Sequence, residues 1–406
     1  MDVENYGSDS EDIGNDEDIY FKPFEKTFNY VMFCMAVGMI YPNPKTEKWR
    51  IAAIFFYMLI ISPATSFIAY DMVEAYKEGD MDSIFRHTIV MGPFLSQYLK
   101  MVLMYKYRTN AKLLLEEMNE YFEKLNSKPL SHKLIAKKWL TKSFFLEKSW
   151  AYCVLAGSFS FPISAICKNI YSALFDEYPR RYCIQEVRSP FGGSNLDFPF
   201  YEIMFINTCM ASCMYYINFN GYDGFFVQLI LHTALRIAVC SESLKDAFKI
   251  DDSVLRRKAV GVVIKEHIAI CNFMSRVNVL FEQWMSTITS AMVIHLCSCV
   301  FFLSKRNGIQ DAQFLFSFFA AFMYLFMICF VGGLLQYESE KLSDLFYQCG
   351  WENTSDTHCR RLLVFMIARA QKPLQVTTIA MYKVNLQLFV RVLKMAYSLL
   401  TFLQQT

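Results

Sequence analysis

The sequence predicts an all-α integral membrane fold: seven transmembrane helices, N-terminus inside and C-terminus outside, with an intracellular helical anchor domain. First, 54% of the 406 residues are hydrophobic and only 19% are charged, whereas soluble chains are about 25% charged. A single core cannot bury that excess. Second, the apolar residues gather into runs of about 20, the length at which a helix crosses a bilayer. Third, Lys and Arg crowd into alternate connections, such as residues 106–148 and 245–265, and this asymmetry sets orientation. The low Gly (15) and Pro (11) counts argue against a collagenous or Pro/Gly-rich disordered chain. A net charge of +2 argues against a strongly basic nucleic-acid binder.

Taken in order, residues 1–21 hold eight Asp and Glu residues (Asp2, Glu4, Asp9, Glu11, Asp12, Asp16, Glu17 and Asp18) and no Lys or Arg. They predict an acidic disordered tail on the cytosolic side rather than a signal peptide, which needs a basic start and an apolar stretch. Residues 28–41 are apolar but too short to cross, and read as an interfacial or re-entrant segment. The first span is 49–70, the second 84–105 and the third 150–171. Between the second and third lies an amphipathic cytosolic stretch, and a polar loop follows at 172–198. The region 199–240 is long enough for two spans, with Asn218, Asn220, Gly221, Asp223 and Gly224 suited to a turn. The basic cluster at 245–265 favours one long helix, because two spans would place that cluster outside. The fifth span ends near 303, the sixth is 314–335 and the last 376–403. These give a transmembrane region over 22–335, an anchor segment at 336–374 and a seventh helix within 375–406.

The last helix carries Lys383, Gln387, Arg391, Lys394, Ser398, Thr401 and Gln405. At about 100° per residue they fall within one arc. Such a stripe on a crossing helix needs water or protein opposite it. It reads equally as a pore wall assembled from several copies or as a packing face whose basic groups snorkel. The cysteines lie in apolar runs without zinc spacing and read as small hydrophobes, so no metal or cofactor is expected. The histidines are scattered one per region, which argues against a membrane enzyme, and no internal repeat suggests a transporter.

The C-terminal residues carry a resemblance. ESEKLSDLFY over 338–347, Trp351, a helix at 360–370, AQKPL over 370–374 and LFVRVLKMAYS over 388–398 stand in the order and spacing of the insect odorant receptor tail. GMIYP at 38–42, Tyr222-Asp223 and His232 give weaker likenesses upstream. The short link near 247–254 resembles an odorant-tuning subunit, not the longer co-receptor. Gustatory receptors are the runner-up, but their Thr-Tyr and Gln-Phe pairs are replaced here by Ala396-Tyr397 and Gln404-Gln405.

The resemblance implies a ligand-gated non-selective cation channel in the cell membrane of a sensory neuron dendrite. It implies a heterotetramer with the odorant co-receptor (Orco), joined through the anchor, and a small volatile ligand. The implied ligand residues are Met91, Phe94, Gly157, Phe161, Phe205, Cys209, Met210, Phe318, Phe322 and Tyr324, with Tyr324 as a hydrogen-bond donor. In the implied pore, Phe402 and Thr406 form the outer gate, while Ser398, Thr401 and Gln405 face water.

Overall fold

The computed structural model describes residues 19–42, 47–190, 194–305 and 312–405, so most of the acidic tail lies outside the described residues. These residues form helices α1 (Phe24–Thr27), α2 (Asn29–Val37), α3 (Glu47–Glu78), α4 (Met81–Lys106), α5 (Arg108–Asn126) and α6 (Leu130–Phe175), followed by α7 (Phe200–Phe248), α8 (Ser253–Lys305), α9 (Ala312–Glu340), α10 (Leu342–Tyr347), α11 (Thr357–Ala370) and α12 (Leu386–Gln405). The only β feature among them is an isolated bridge between Thr377 and Lys383.

Among the described residues, six helices are long and apolar enough to cross a membrane: α3, α6, α7, α8, α9 and α12. The seventh long helix, α4, is more polar because it carries His87, Gln97 and Lys100, all buried inside the bundle. Lipid would reject such groups, but inside the bundle His87 pairs with Asp71 and Lys100 with Asp223. Pro63, Pro93 and Pro162 each sit inside a long helix, where neighbouring helices can satisfy the freed backbone groups.

Residues 200–248 form one uninterrupted helix, so the Asn/Gly cluster is not a turn. Its glycines serve close packing instead. A Cβ on Gly221 would stand 2.9 Å from Ile40 Cδ1 and 3.0 Å from the backbone of Cys34 and Met35, and one on Gly224 would stand 3.0 Å from Val31 Cγ2. The short apolar segment at 28–41 is therefore the partner that these two glycines admit: Val31, Cys34, Met35 and Ile40 are buried against α7. From Asn218 inward nearly every α7 side chain is buried, which makes this helix the central pillar of the bundle.

Several helix boundaries differ from expectation: α3 runs on to Glu78 and α6 begins at Leu130, beyond the expected spans 49–70 and 150–171. Helix α9 continues to Glu340, beyond the expected end of the sixth span. The last helix starts at Leu386 rather than near 376, because Asn385 Oδ1 accepts from the backbone N–H groups of Gln387 at 3.0 Å and Leu388 at 3.2 Å. That is an N-cap, and it satisfies donors the helix leaves open. Lys383 consequently lies outside the helix, in the bridged segment.

Candidate functional site

A cavity of about 470 Å³ lies between α4, α6, α7, α8 and α9, within the range of small-molecule sites. Its side walls are apolar: Phe94 and Leu99 from α4, Val154 and Phe161 from α6, Ile288 and Met292 from α8, Ala320 and Ala321 from α9. Gly157 belongs to the wall, where its missing side chain leaves room beside Ala320; a Cβ there would stand 3.1 Å from the Ala320 Cβ.

Phe219, Trp284 and Tyr324 line one side of the cavity over a buried ion pair. Lys100 Nζ lies 2.5 Å from Asp223 Oδ2, and neither side chain is exposed. Asp223 also accepts from Trp284 Nε1 at 3.0 Å and from the Tyr324 hydroxyl at 3.1 Å. Lys100 Nζ stands over the Phe219 and Trp284 rings, which adds cation–π attraction. Four helices are thus tied together by one carboxylate. Every acceptor site filled on Asp223 lowers the cost of burying its charge.

The opposite end is closed by the loop after α6. Ile184 and Gln185 line the cavity. The loop is strapped down by charge: Arg188 pairs with Asp71 and Glu78, and Arg86 with Glu186. Most hydroxyls in the wall bond back to their own helix. Thr88, Ser96, Ser158, Thr208, Ser212 and Thr287 each donate to a carbonyl three or four residues earlier, so they present little polarity to a ligand.

Of the ten anticipated ligand residues, the structure brings Phe94, Gly157, Phe161 and Tyr324 to this cavity. The Tyr324 hydroxyl is already committed to Asp223, so the ring, not the expected donor, faces the cavity. Phe205 lines a small adjoining crevice with Tyr201 and Met204. The other five are not in its lining. Met91 is half-buried, and Met210 is turned outward and 42% exposed, with Cys209 beside it. Phe318 and Phe322 lie about 100° around α9 from the cavity-facing residues Ser317 and Ala321. Phe322 packs on Phe389 of α12, ring centroids 5.1 Å apart.

Sequence reasoning missed the contribution of α8: Trp284, Thr287, Ile288, Ala291, Met292 and His295. The signal was present. Thr287, Ala291 and His295 recur every four residues, a small and polar stripe on an apolar helix.

A second feature is an open groove along α12. Gln387, Arg391, Lys394, Ser398, Leu399 and Phe402 line it with Val293 of α8. Arg391, Lys394 and Ser398 are exposed, and Phe402 is 62% exposed, while Val384, Leu388, Val392 and Leu400 are buried. Thr401 is half-buried and its hydroxyl donates to the Ser398 carbonyl at 2.9 Å. Thr406 and the side chain of Gln405 lie outside the described residues.

The 7tm Odorant receptor family model matches residues 80–397. Odorant receptor 30a of Drosophila melanogaster is 23% identical over 208 residues, covering 51% of this chain and 55% of that protein. Odorant receptor 19a of Drosophila melanogaster is 28% identical over 207 residues, 48% of this chain and 51% of that one. Odorant receptor 10 of Aedes albopictus is 25% identical over 214 residues, 51% and 56%. The chain therefore spans about half the length of the curated relatives it matches. The olfactory receptor OR5 from Machilis hrabei, solved in complex with eugenol, superimposes with a TM-score of 0.76 at 14% identity, covering 94% of this chain and 99% of that one. With the helical fold shared across nearly its whole length, and a family match over most of its residues, this multi-pass membrane protein belongs to the 7tm odorant receptor family.

Proposed function

We propose that this chain is the odorant-binding subunit of a ligand-gated, non-selective cation channel, assembled with the odorant co-receptor in the cell membrane of a sensory neuron dendrite. The cavity carries the reading: about 470 Å³, apolar-walled and inside a helical bundle. Volatile molecules offer few hydrogen bonds, so their affinity comes from apolar burial at about 25 cal/mol per Å². That OR5 was solved with eugenol supports a small organic ligand here.

The α12 groove supplies the second half. Its polar residues face away from the bundle, as a helix lining a water-filled path between subunits requires. In the orientation with the N-terminus inside, Phe402 lies toward the outer end as a gate residue, with Ser398, Thr401 and Gln405 near it. The segment 336–374 supplies the subunit contact. Leu342, Phe346, Leu363 and Met366 are spent on packing within this chain, but Val364 is 64% and Phe365 74% exposed, an apolar pair free to meet a neighbour.

The test is current. Cells expressing this chain with the co-receptor should respond to volatiles within milliseconds of application. A broad panel that evokes no fast current would sink the reading. Val364→Asp with Phe365→Asp should abolish co-purification with the co-receptor while leaving this chain folded.

A further inference from the structure

The cavity carries an acceptor whose orientation is fixed by a buried relay. Asp71 of α3 and His87 of α4 are both buried, with Asp71 Oδ2 2.8 Å from His87 Nε2. The other imidazole nitrogen, Nδ1, stands 2.9 Å from Gln185 Nε2 in the loop. A carboxylate only accepts, so the imidazole proton is on Nε2 and Nδ1 presents a lone pair. Gln185 must then donate its amide N–H to Nδ1, which leaves Oε1 as its free end. Gln185 lines the cavity, and Oε1 has no partner among the described residues. The Arg188 backbone N–H donates to Asp71 Oδ2 at 3.2 Å and its guanidinium pairs with Oδ1, so the far end of the relay is held as well.

The remaining polar groups discriminate less. Tyr324 and Trp284 donate to Asp223, and Ser317 pairs with His295 Nε2 at 3.3 Å. The hydroxyls of Thr88, Ser96, Ser158, Thr208, Ser212 and Thr287 bond to their own helices, and the Tyr215 hydroxyl can donate or accept. His295 lines the cavity with Nδ1 buried and unpaired, but an imidazole nitrogen can donate or accept according to tautomer.

We propose that Gln185 sets the ligand class: the cavity selects molecules bearing a hydroxyl donor, alcohols or phenols, over ketones, esters and ethers of the same shape. This rests on the odorant-binding reading above. Gln185 acts as a contact residue, and Asp71 and His87 as positioning residues that act through it.

The relay makes a prediction that packing alone does not. In Asp71→Asn, the side-chain carbonyl that keeps the Arg188 guanidinium puts the amide nitrogen at the position facing His87, and the Arg188 backbone N–H loses its acceptor there. His87 Nε2 then accepts, its proton moves to Nδ1, and Gln185 turns Oε1 toward His87. The group facing the cavity becomes an N–H donor, which favours a carbonyl ligand.

The experiment measures potency of a medium-chain primary alcohol, its methyl ether and the ketone of matching length, on cells expressing this chain with the co-receptor. The wild type should prefer the alcohol by about threefold to tenfold, the size of one neutral hydrogen bond. Gln185→Leu should bring the three to near equality while the ether response persists, and Asp71→Asn should move the order toward the ketone. Gln185→Met provides the same reading if the leucine variant fails to reach the surface. A wild type that responds to all three equally, or an alcohol preference unchanged by loss of Gln185, overturns the proposal and leaves the odorant reading standing. A wild type silent to every volatile overturns both.

Discussion

The cavity and the α12 groove are built from the same kinds of residue used in opposite ways. In the cavity, most polar groups are paired: Lys100 with Asp223, Asp223 with Trp284 and Tyr324, most hydroxyls with their own helices. What faces the empty volume is mostly carbon. Along the groove, Arg391, Lys394 and Ser398 are exposed beside Val390, Met395 and Phe402, while Leu388, Val392 and Leu400 of the same helix are turned inward. A neutral organic molecule suits the first environment and hydrated ions suit the second. Phe322 and Phe389, in ring contact, join the α9 wall to α12, so one packed layer separates the two environments.

The comparison breaks most completely at the ion pair. Lys100→Met should leave Asp223 buried without its counter-charge, a loss of about 3–5 kcal/mol, read as absent surface protein and early thermal unfolding of the purified chain. Lys100→Met with Asp223→Asn should recover part of that loss. Equal expression of the single variant and the wild type would show that the pair does not hold the cavity together.

Next in size is the cavity wall. Gly157→Leu places side-chain atoms where a Cβ already stands 3.1 Å from Ala320. Potency for long ligands should fall about tenfold or more, or about 1.4 kcal/mol, with shorter ligands affected less. A uniform scaling across ligand lengths would point to folding or gating instead of volume.

The groove should respond in a different currency. Arg391→Gln with Lys394→Gln removes two positive charges from the exposed face. Reversal potentials should shift toward greater relative calcium permeability, and the rank order of ligands should stay the same. A changed rank order with unchanged permeation would reverse the roles assigned to the two regions.

The smallest effect lies outside both. The Arg257 guanidinium, 2.9 Å from Asp356, holds that carboxyl well below the usual carboxylate range. A lowered folded-state value means the stabilisation is complete above the unfolded value near about 4 and is lost as pH falls through the folded one. Melting temperature should therefore be flat from neutral pH to weakly acidic pH and drop only in strong acid. Because Arg257 is half exposed, solvent screens the pair, so Arg257→Gln should cost little stability at neutral pH and blunt the acid limb.

Composition and periodicity made the helical membrane fold legible, because a lipid solvent demands long apolar runs whatever their neighbours. Positive charge at 245–265 was enough to argue for one long helix across 199–240. The tail from 338 onward carried the family. The cavity was only partly legible: Phe94, Gly157, Phe161 and Tyr324 reach it, whereas Phe318 and Phe322 do not. Rotating a helix by one residue, about 100°, exchanges the residues that face a cavity for those that face a neighbour, and apolar runs do not encode that angle. The glycines of α7 showed the same limit, since a helix contact and a turn use the same residue type. Nor could spacing along the chain announce that Asp71, His87 and Gln185 meet, or that Lys100 finds Asp223. Those contacts are long in sequence and short in space, and only the packing of α3, α4, α7 and the loop after α6 decides them.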